Sequence, residues 1–316
     1  MSGAVYVSSA AYVSGAVYVY GLTAACLLGL GFVLQQHAAQ RAPLADMLSF
    51  RLLLDLVRDR VWLGGIACMV AGQIFGVLAL ARGDVSRVEP LLATNLIFAV
   101  VLARRISGQR LGWTGWIGVA LLSGGVTAFI VAAQPKAASA PVGAVQQGLV
   151  IASLLAASLI LVVIAKHLRL VKEPPLLAAA GGLLYGIQDA LTRMATGIFS
   201  AGGLLSLLTA WQPYAVVALA VTGLLLVQSA FEAGPLRMSL PALTAAEPIA
   251  GIVCGIGLLG DQLRVTPTAL AWEIAGLTAV IIGVLLLGMH PALPSGTAGP
   301  DNARGASPEG RLPRPD

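Results

Sequence analysis

Residues 241–263 read PALTAAEPIAGIVCGIGLLGDQL: small and branched apolar residues with one carboxylate, Glu247, beside Pro248 near the middle. A charge inside an apolar span costs several kcal/mol on insertion scales, so it faces a cavity or a partner rather than lipid tails. About 150 residues upstream, residues 90–111 read PLLATNLIFAVVLARRISGQRL. Both stretches open on proline, run through apolar residues and close on a Gly–polar–polar–Leu turn. The pair predicts a duplicated membrane protein whose chemistry sits near Glu247.

Composition agrees. Of the 316 residues, 58% are hydrophobic and only 10% charged, and mean hydropathy is +0.88. Soluble domains carry about a quarter charged residues. This much apolar surface exceeds what one soluble core hides, so the chain reads as an all-α polytopic membrane protein. The basic balance, with a pI near 9.4, does not point to nucleic acid, because Lys and Arg sit in short loops between apolar runs. Cys26, Cys68 and Cys254 each lie in an apolar run and match no zinc or redox spacing. His37, His167 and His290 form no cluster. With no Gly-rich phosphate loop and no Ser/His/Asp grouping, neither an enzyme nor a bound cofactor or metal is expected.

Read in order, the chain predicts about nine transmembrane helices, at 17–36, 62–81, 88–106, 111–133, 145–165, 174–193, 210–231, 238–259 and 268–288. Residues 1–16 form an N-terminal low-complexity segment of Tyr-Val and Ala-Val pairs without a signal-peptide pattern. The first repeat covers 17–133 with four spans, a linker follows at 134–144, and the second repeat covers 145–290 with five. The apolar run 52–57 is too short to cross and predicts an interfacial amphipathic helix. Residues 194–231 are uncharged throughout, too long for one span, and punctuated by Gly202-Gly203 and Pro213. Residues 291–316, rich in Pro, Gly, Ser and Arg, read as a disordered tail.

Orientation follows from Lys and Arg. With the N-terminus outside, the inside loops hold Arg41, Arg51, Arg58, Arg60, Arg104, Arg105, Arg110, Lys166, Arg169, Lys172, Arg237, Arg304, Arg311 and Arg314. The outside loops hold only Arg82, Arg87, Lys136, Arg193 and Arg264. The asymmetry predicts a multi-pass protein of the cell membrane, N-terminus outside and C-terminus cytoplasmic.

The halves align at a nearly constant spacing. Gly29 to Gln36 (GLGFVLQQ) matches Gly182 to Asp189 (GLLYGIQD) at an offset of 153. Gly83 and Pro90 match Gly234 and Pro241 at 151, and Gly108-Gln109-Arg110-Leu111 matches Gly260-Asp261-Gln262-Leu263 at 152. The last offset sets Asn95 opposite Glu247. In a nine-span chain the first Gly–polar turn lies inside and the second outside, so the two repeats have inverted topology. Inverted repeats place a site near the midplane and rock about it for alternating access.

Residues 240–287, with Glu247-Pro248 ahead of Ala250 and the Gly260-Asp261-Gln262-Leu263 turn, resemble the closing repeat of the drug/metabolite transporter superfamily, the EamA-like proteins. That family's turn is usually Gly-Glu-x-Leu, where this chain has Gly108-Gln109 and Gly260-Asp261. The resemblance implies ten helices in two inverted halves, of which this chain lacks the first. Residues 60–125 are also similar to the nine-span NIPA-type magnesium transporters. Their second helix carries an acid after a glycine, where this chain has Gly72-Gln73, which removes a hard ligand suited to magnesium.

The residues expected to carry function are Glu247, as a proton-coupling or substrate-binding carboxylate, and Pro248, which frees a backbone carbonyl. Asp189 and Arg193, four apart, are expected to pair along one helix face or to gate. Gln35 and Gln188, at matching repeat positions, are candidates to line the pathway, and Gln73 and Asn95 are neutral groups within spans that bind ligand or join helices. The resulting expectation is a transporter of a small-molecule or ion substrate in the lipid bilayer, with a homodimer allowed. The alternatives are a magnesium transporter and a non-transporting membrane scaffold.

Overall fold

The computed structural model describes residues 2–41, 48–82, 88, 91–106, 112–133, 142–167, 173–262 and 266–288. They form ten helices: α1 (Ser2–Ala39), α2 (Phe50–Leu56), α3 (Arg60–Leu80), α4 (Asn95–Ile106), α5 (Trp113–Ala133), α6 (Ala144–His167), α7 (Glu173–Thr209), α8 (Gln212–Ala233), α9 (Leu236–Leu259) and α10 (Pro267–Gly288). Most of the 134–144 linker, the 291–316 tail, Pro90 and the Gly108–Leu111 turn lie outside the described residues.

Eight of these helices are long and apolar enough to cross a bilayer, all but α2 and α4. The chain is an all-α polytopic membrane protein. The seven-residue α2 starts on Ser49, whose hydroxyl accepts from the Arg51 amide at 3.3 Å. It buries Leu52 and Leu56 and leaves Phe50 and Leu54 on the surface, as an interfacial helix does.

Where a continuous span 88–106 was expected, the helix is broken. Both the amide and the hydroxyl of Thr94 bond the Leu91 carbonyl, which interrupts the helix at Thr94, between helical residues 91–93 and α4 from Asn95; the two pieces run along α1 from Gly21 to Gly29. Threonine back-bonding of this kind competes with the helical ladder and bends it. With 12 residues, α4 is about 18 Å long.

Gly15–Ala39 of α1 is long and apolar enough to cross and contains the expected span 17–36. α7 departs further from expectation. It does not stop near Arg193 but runs on to Gly202; Gly203, at φ 69° and ψ −166°, is non-helical and separates it from a short second helix that ends at Thr209. The helix continues through Gly197, and only glycine tolerates the conformation at 203. The Gly202-Gly203 punctuation therefore separates two helices within the range of α7.

Packing repeats between the halves. α1 lies against α3 and α4, and α7 lies against α8 and α9. α5 packs on α10, joining the last helices of the two halves. A further link, α1 against α8, crosses between them. The shared core includes Val33, Leu52, Leu96, Leu122, Ile187, Phe231, Leu243 and Leu258.

Candidate functional site

Glu247 lies halfway along α9, where α7 crosses at its closest. A methyl on Gly182 would come within 2.8 Å of the Leu243 carbonyl oxygen, and one on Gly186 within 2.6 Å of that of Glu247. α9 remains helical through Pro241 and Pro248. Pro248 has no N–H, so the Thr244 carbonyl one turn earlier lacks its helical donor and adds an acceptor beside Glu247. The Glu247 carboxyl is partly buried and lies within electrostatic reach of the Tyr185 phenol and the Asp189 carboxyl on α7. Asp189 is exposed and its charge also reaches Cys254. Among the described residues, no Lys or Arg makes an ion pair with Glu247 or Asp189.

The expected pairing of Asp189 with Arg193 is not made. Arg193 Nη1 instead donates to Asp261 Oδ2 at 2.9 Å. The reason lies in how α9 ends. Gly260 adopts φ 73°, and the amide of Asp261 bonds back to the Gly255 carbonyl at 2.8 Å. This glycine cap turns the chain and sets the Asp261 carboxyl against Gly255, leaving its side chain 4% exposed. A buried carboxylate needs a cation more than an exposed one does, and Arg193 supplies it from the neighbouring helix. The Gly260-Asp261 turn thus carries an ion pair.

A second polar cluster joins the halves at the opposite end of the bundle. Pro174 at the start of α7 lies against Gly234, in the α8–α9 turn, so that turn and Arg193 are separated by most of a span. There Gln36 and Gln40 donate to the Gly234 carbonyl at 3.0 and 3.2 Å. Gln228 donates to Gln35 Oε1, Gln35 donates to Met69 Sδ, and the Leu48 amide donates to Ser229 Oγ. Gln35, Gln36, Gln228, Ser229, Glu232 and Ser239 are all buried. Gln35 thus ties α1 to α3 and α8.

The remaining candidates stand apart. Asn95 opens α4, and its Oδ1 is buried without a hydrogen bond. Gln188, beside Asp189, likewise keeps a buried Oε1 without one. Gln73 faces outward from α3 among exposed Val70, Ile74 and Val77. Trp113, Trp211 and Tyr214 are exposed at helix starts, consistent with an interfacial belt. Among the described residues no three His, Cys, Asp or Glu side chains gather as a metal site. A groove of about 390 Å³ lined by Ala144, Gln147, Gly148, Ile151, Ala152, Leu155 and Trp211 contains none of the candidates.

Sequence reasoning passed over Tyr185, Asp261, Gln36 and Gln228. A signal existed for two of them. Gly260 is a helix-stop glycine, so the acid after it returns toward its own helix, and Gln36 is the repeat mate of Asp189.

Comparison with known proteins bears on what such a bundle does. Over 106 residues the chain is 32% identical to a probable 4-amino-4-deoxy-L-arabinose-phosphoundecaprenol flippase subunit ArnE of Pseudomonas syringae pv. syringae, covering 33% of this chain and 93% of that one. A second ArnE, from Pseudomonas savastanoi pv. phaseolicola, is 31% identical over 107 residues, 33% of this chain and 90% of its own. The chain belongs to the drug/metabolite transporter superfamily. Another relative runs nearly the full length: an uncharacterized protein of Corynebacterium glutamicum, 26% identical over 281 residues, 88% of this chain and 96% of that one. No family model matches the sequence, and no solved structure matches it. As a drug/metabolite transporter superfamily member with eight long apolar helices, the protein is of the membrane transporter or flippase type.

Proposed function

We propose that this drug/metabolite transporter superfamily protein is a secondary transporter that moves a small solute by alternating access, with Glu247 as the group that couples transport to protons. The observation that carries the reading is the Glu247–Asp189–Tyr185 group on the α7–α9 crossing, halfway along a span and without a Lys or Arg ion pair among the described residues. A carboxyl group in that position binds a proton or a cationic part of a substrate, and intramembrane acids mark such pathways. The repeated packing of α1 on α3 and α4, and of α7 on α8 and α9, supports two related halves that rock against each other.

The orientation we propose has the N-terminus outside and the C-terminus in the cytoplasm. Following the helices end to end, Arg41, Arg51, Arg58, Arg60, Arg104, Arg105, Lys166 and Arg237 fall on the face where α1 ends. Among the described residues only Arg82 and Arg193 fall on the other. That bias supports a cytoplasmic placement for the first face.

Likeness to the ArnE subunits adds one substrate class to test, an amine-bearing, lipid-linked amphiphile. The test uses purified full-length protein. It is screened for ligand-dependent thermal stabilisation against soluble metabolites, amines, lipid-linked amino sugars and magnesium, then reconstituted into vesicles with an imposed pH gradient. The expected result is stabilisation by an organic solute, and uptake of that solute which collapses when a protonophore dissipates the gradient. Stabilisation by magnesium alone, with gradient-independent magnesium flux, would replace this reading with the cation transporter.

A further inference from the structure

The two repeats do not hold the same conformation. At the offset of 153, Gln35 and Gln36 are the mates of Gln188 and Asp189. Gln36 is 0% exposed and Gln35 2%, yet Asp189 is exposed and Gln188 partly so. The same helical position is thus sealed at one end of the bundle and open at the other. Helix packing shows the same difference. α1 packs against α8 beside the sealed pair, but the mates of those helices, α7 and α3, share no comparable packing among the described residues.

The close helix crossings, by contrast, repeat between the halves. A methyl on Gly29 would meet the Asn95 carbonyl at 2.7 Å and the Ala99 amide at 2.8 Å, and one on Gly186 would meet the Glu247 carbonyl at 2.6 Å and the Gly251 amide at 2.7 Å. The difference therefore lies in how the two ends of the bundle are covered.

We propose that this is the conformation closed at the Gln36 end and open at the Asp189 end. The Gln228–Gln35 bond and the Gln36 and Gln40 bonds to the Gly234 carbonyl are the latch of the closed end. In the opposite-facing state the glutamine latch parts, and α7 and α3 close over Asp189. These hydrogen bonds suit that role, because the two halves meet there through neutral side chains that separate at lower cost than ions would.

This inference rests on the transporter reading, and its test separates the two. Single cysteines, Gln36→Cys and Asp189→Cys, are placed in a chain with Cys26, Cys68 and Cys254 replaced by alanine. Each is labelled with a water-soluble maleimide in detergent, and rates are normalised to the denatured chain. A closed end that opens only as a minor state should label about tenfold or more slowly, so Asp189→Cys is expected to react at least about tenfold faster than Gln36→Cys. Adding Gln228→Leu should raise labelling at position 36 and lower it at position 189. A more conservative Gln228→Met should do the same to a smaller extent.

Equal rates at the two positions would overturn the assignment of state. A rise at both positions on latch removal would mean general loosening and would overturn the latch. Solute uptake is measured on the same background with Gln36 and Asp189 intact. Absent uptake with reciprocal labelling would sink the transporter reading and leave the two-state bundle standing; uptake without reciprocal labelling would do the reverse.

Discussion

Glu247→Gln is expected to lower pH-gradient-driven transport by about tenfold or more, equivalent to ~1.4 kcal/mol, while the protein still folds and reaches the membrane. Glutamine keeps the size of the side chain and its capacity to hydrogen-bond but removes the titrating proton. The side chain sits where α7 and α9 already touch backbone to backbone through Gly182 and Gly186, so an isosteric change leaves that packing intact. Asp189→Asn is the comparison, since Asp189 shares the field at the seam but is exposed. Initial rates in proteoliposomes, with and without the gradient, check the effect. Wild-type gradient-driven rates in Glu247→Gln would leave this residue a packing group and move coupling elsewhere.

The second large effect concerns the ion pair at the end of α9. Arg193→Met leaves the Asp261 carboxylate buried against Gly255 with its guanidinium removed. Breaking a buried pair from that side costs about 3 kcal/mol, or a fall in melting temperature of about 4–5 °C. Asp261→Asn should cost far less. The Arg193 side chain is 59% exposed, so on losing its partner it is solvated, and an exposed charge pair is worth about 1 kcal/mol or less. The double variant should recover most of the loss, because no buried charge is left behind. Thermal unfolding of all four proteins in one detergent closes the double-mutant cycle. Equal losses for the two single variants, or simple additivity in the double, would mean that the pair is a surface contact without structural weight.

Much of the bundle was legible in the sequence, for physical reasons that also mark the limits. Uninterrupted apolar runs located the eight long helices, since hydrocarbon thickness demands about 20 residues. The Gly202-Gly203 signal was correct as a break between two helices at Gly203. Hydropathy is blind to where a helix stops when no breaker or charge follows, so α7 overran its expected end at Arg193. The broken span before α4 was missed because the bond from Thr94 to the Leu91 carbonyl depends on local side-chain geometry that composition does not record. At the site, Glu247 stood out as a lone acid, and its partners on α7 did not. Sequence proximity favoured Asp189 as the partner of Arg193, one turn away. Asp261, 68 residues on, won because the Gly260 cap buries it within reach. The Gln35–Gln228 and Gln36–Gly234 bonds join positions nearly 200 residues apart and left no trace in the spacing.

The central claim is that two related halves lie inverted across the membrane and meet at the seam beside Glu247. Thr114, second residue of α5, and Thr266, just ahead of α10, are repeat mates at an offset of 152, and both are exposed. They are better reporters than Asp261, which is buried. Single cysteines at positions 114 and 266, in the chain freed of Cys26, Cys68 and Cys254, are treated with a membrane-impermeant thiol reagent in intact cells and in inverted vesicles. Inverted halves require position 266 to label from outside and position 114 only from the cytoplasmic face. Labelling of both from the same side would contradict the inversion, and with it the alternating-access account.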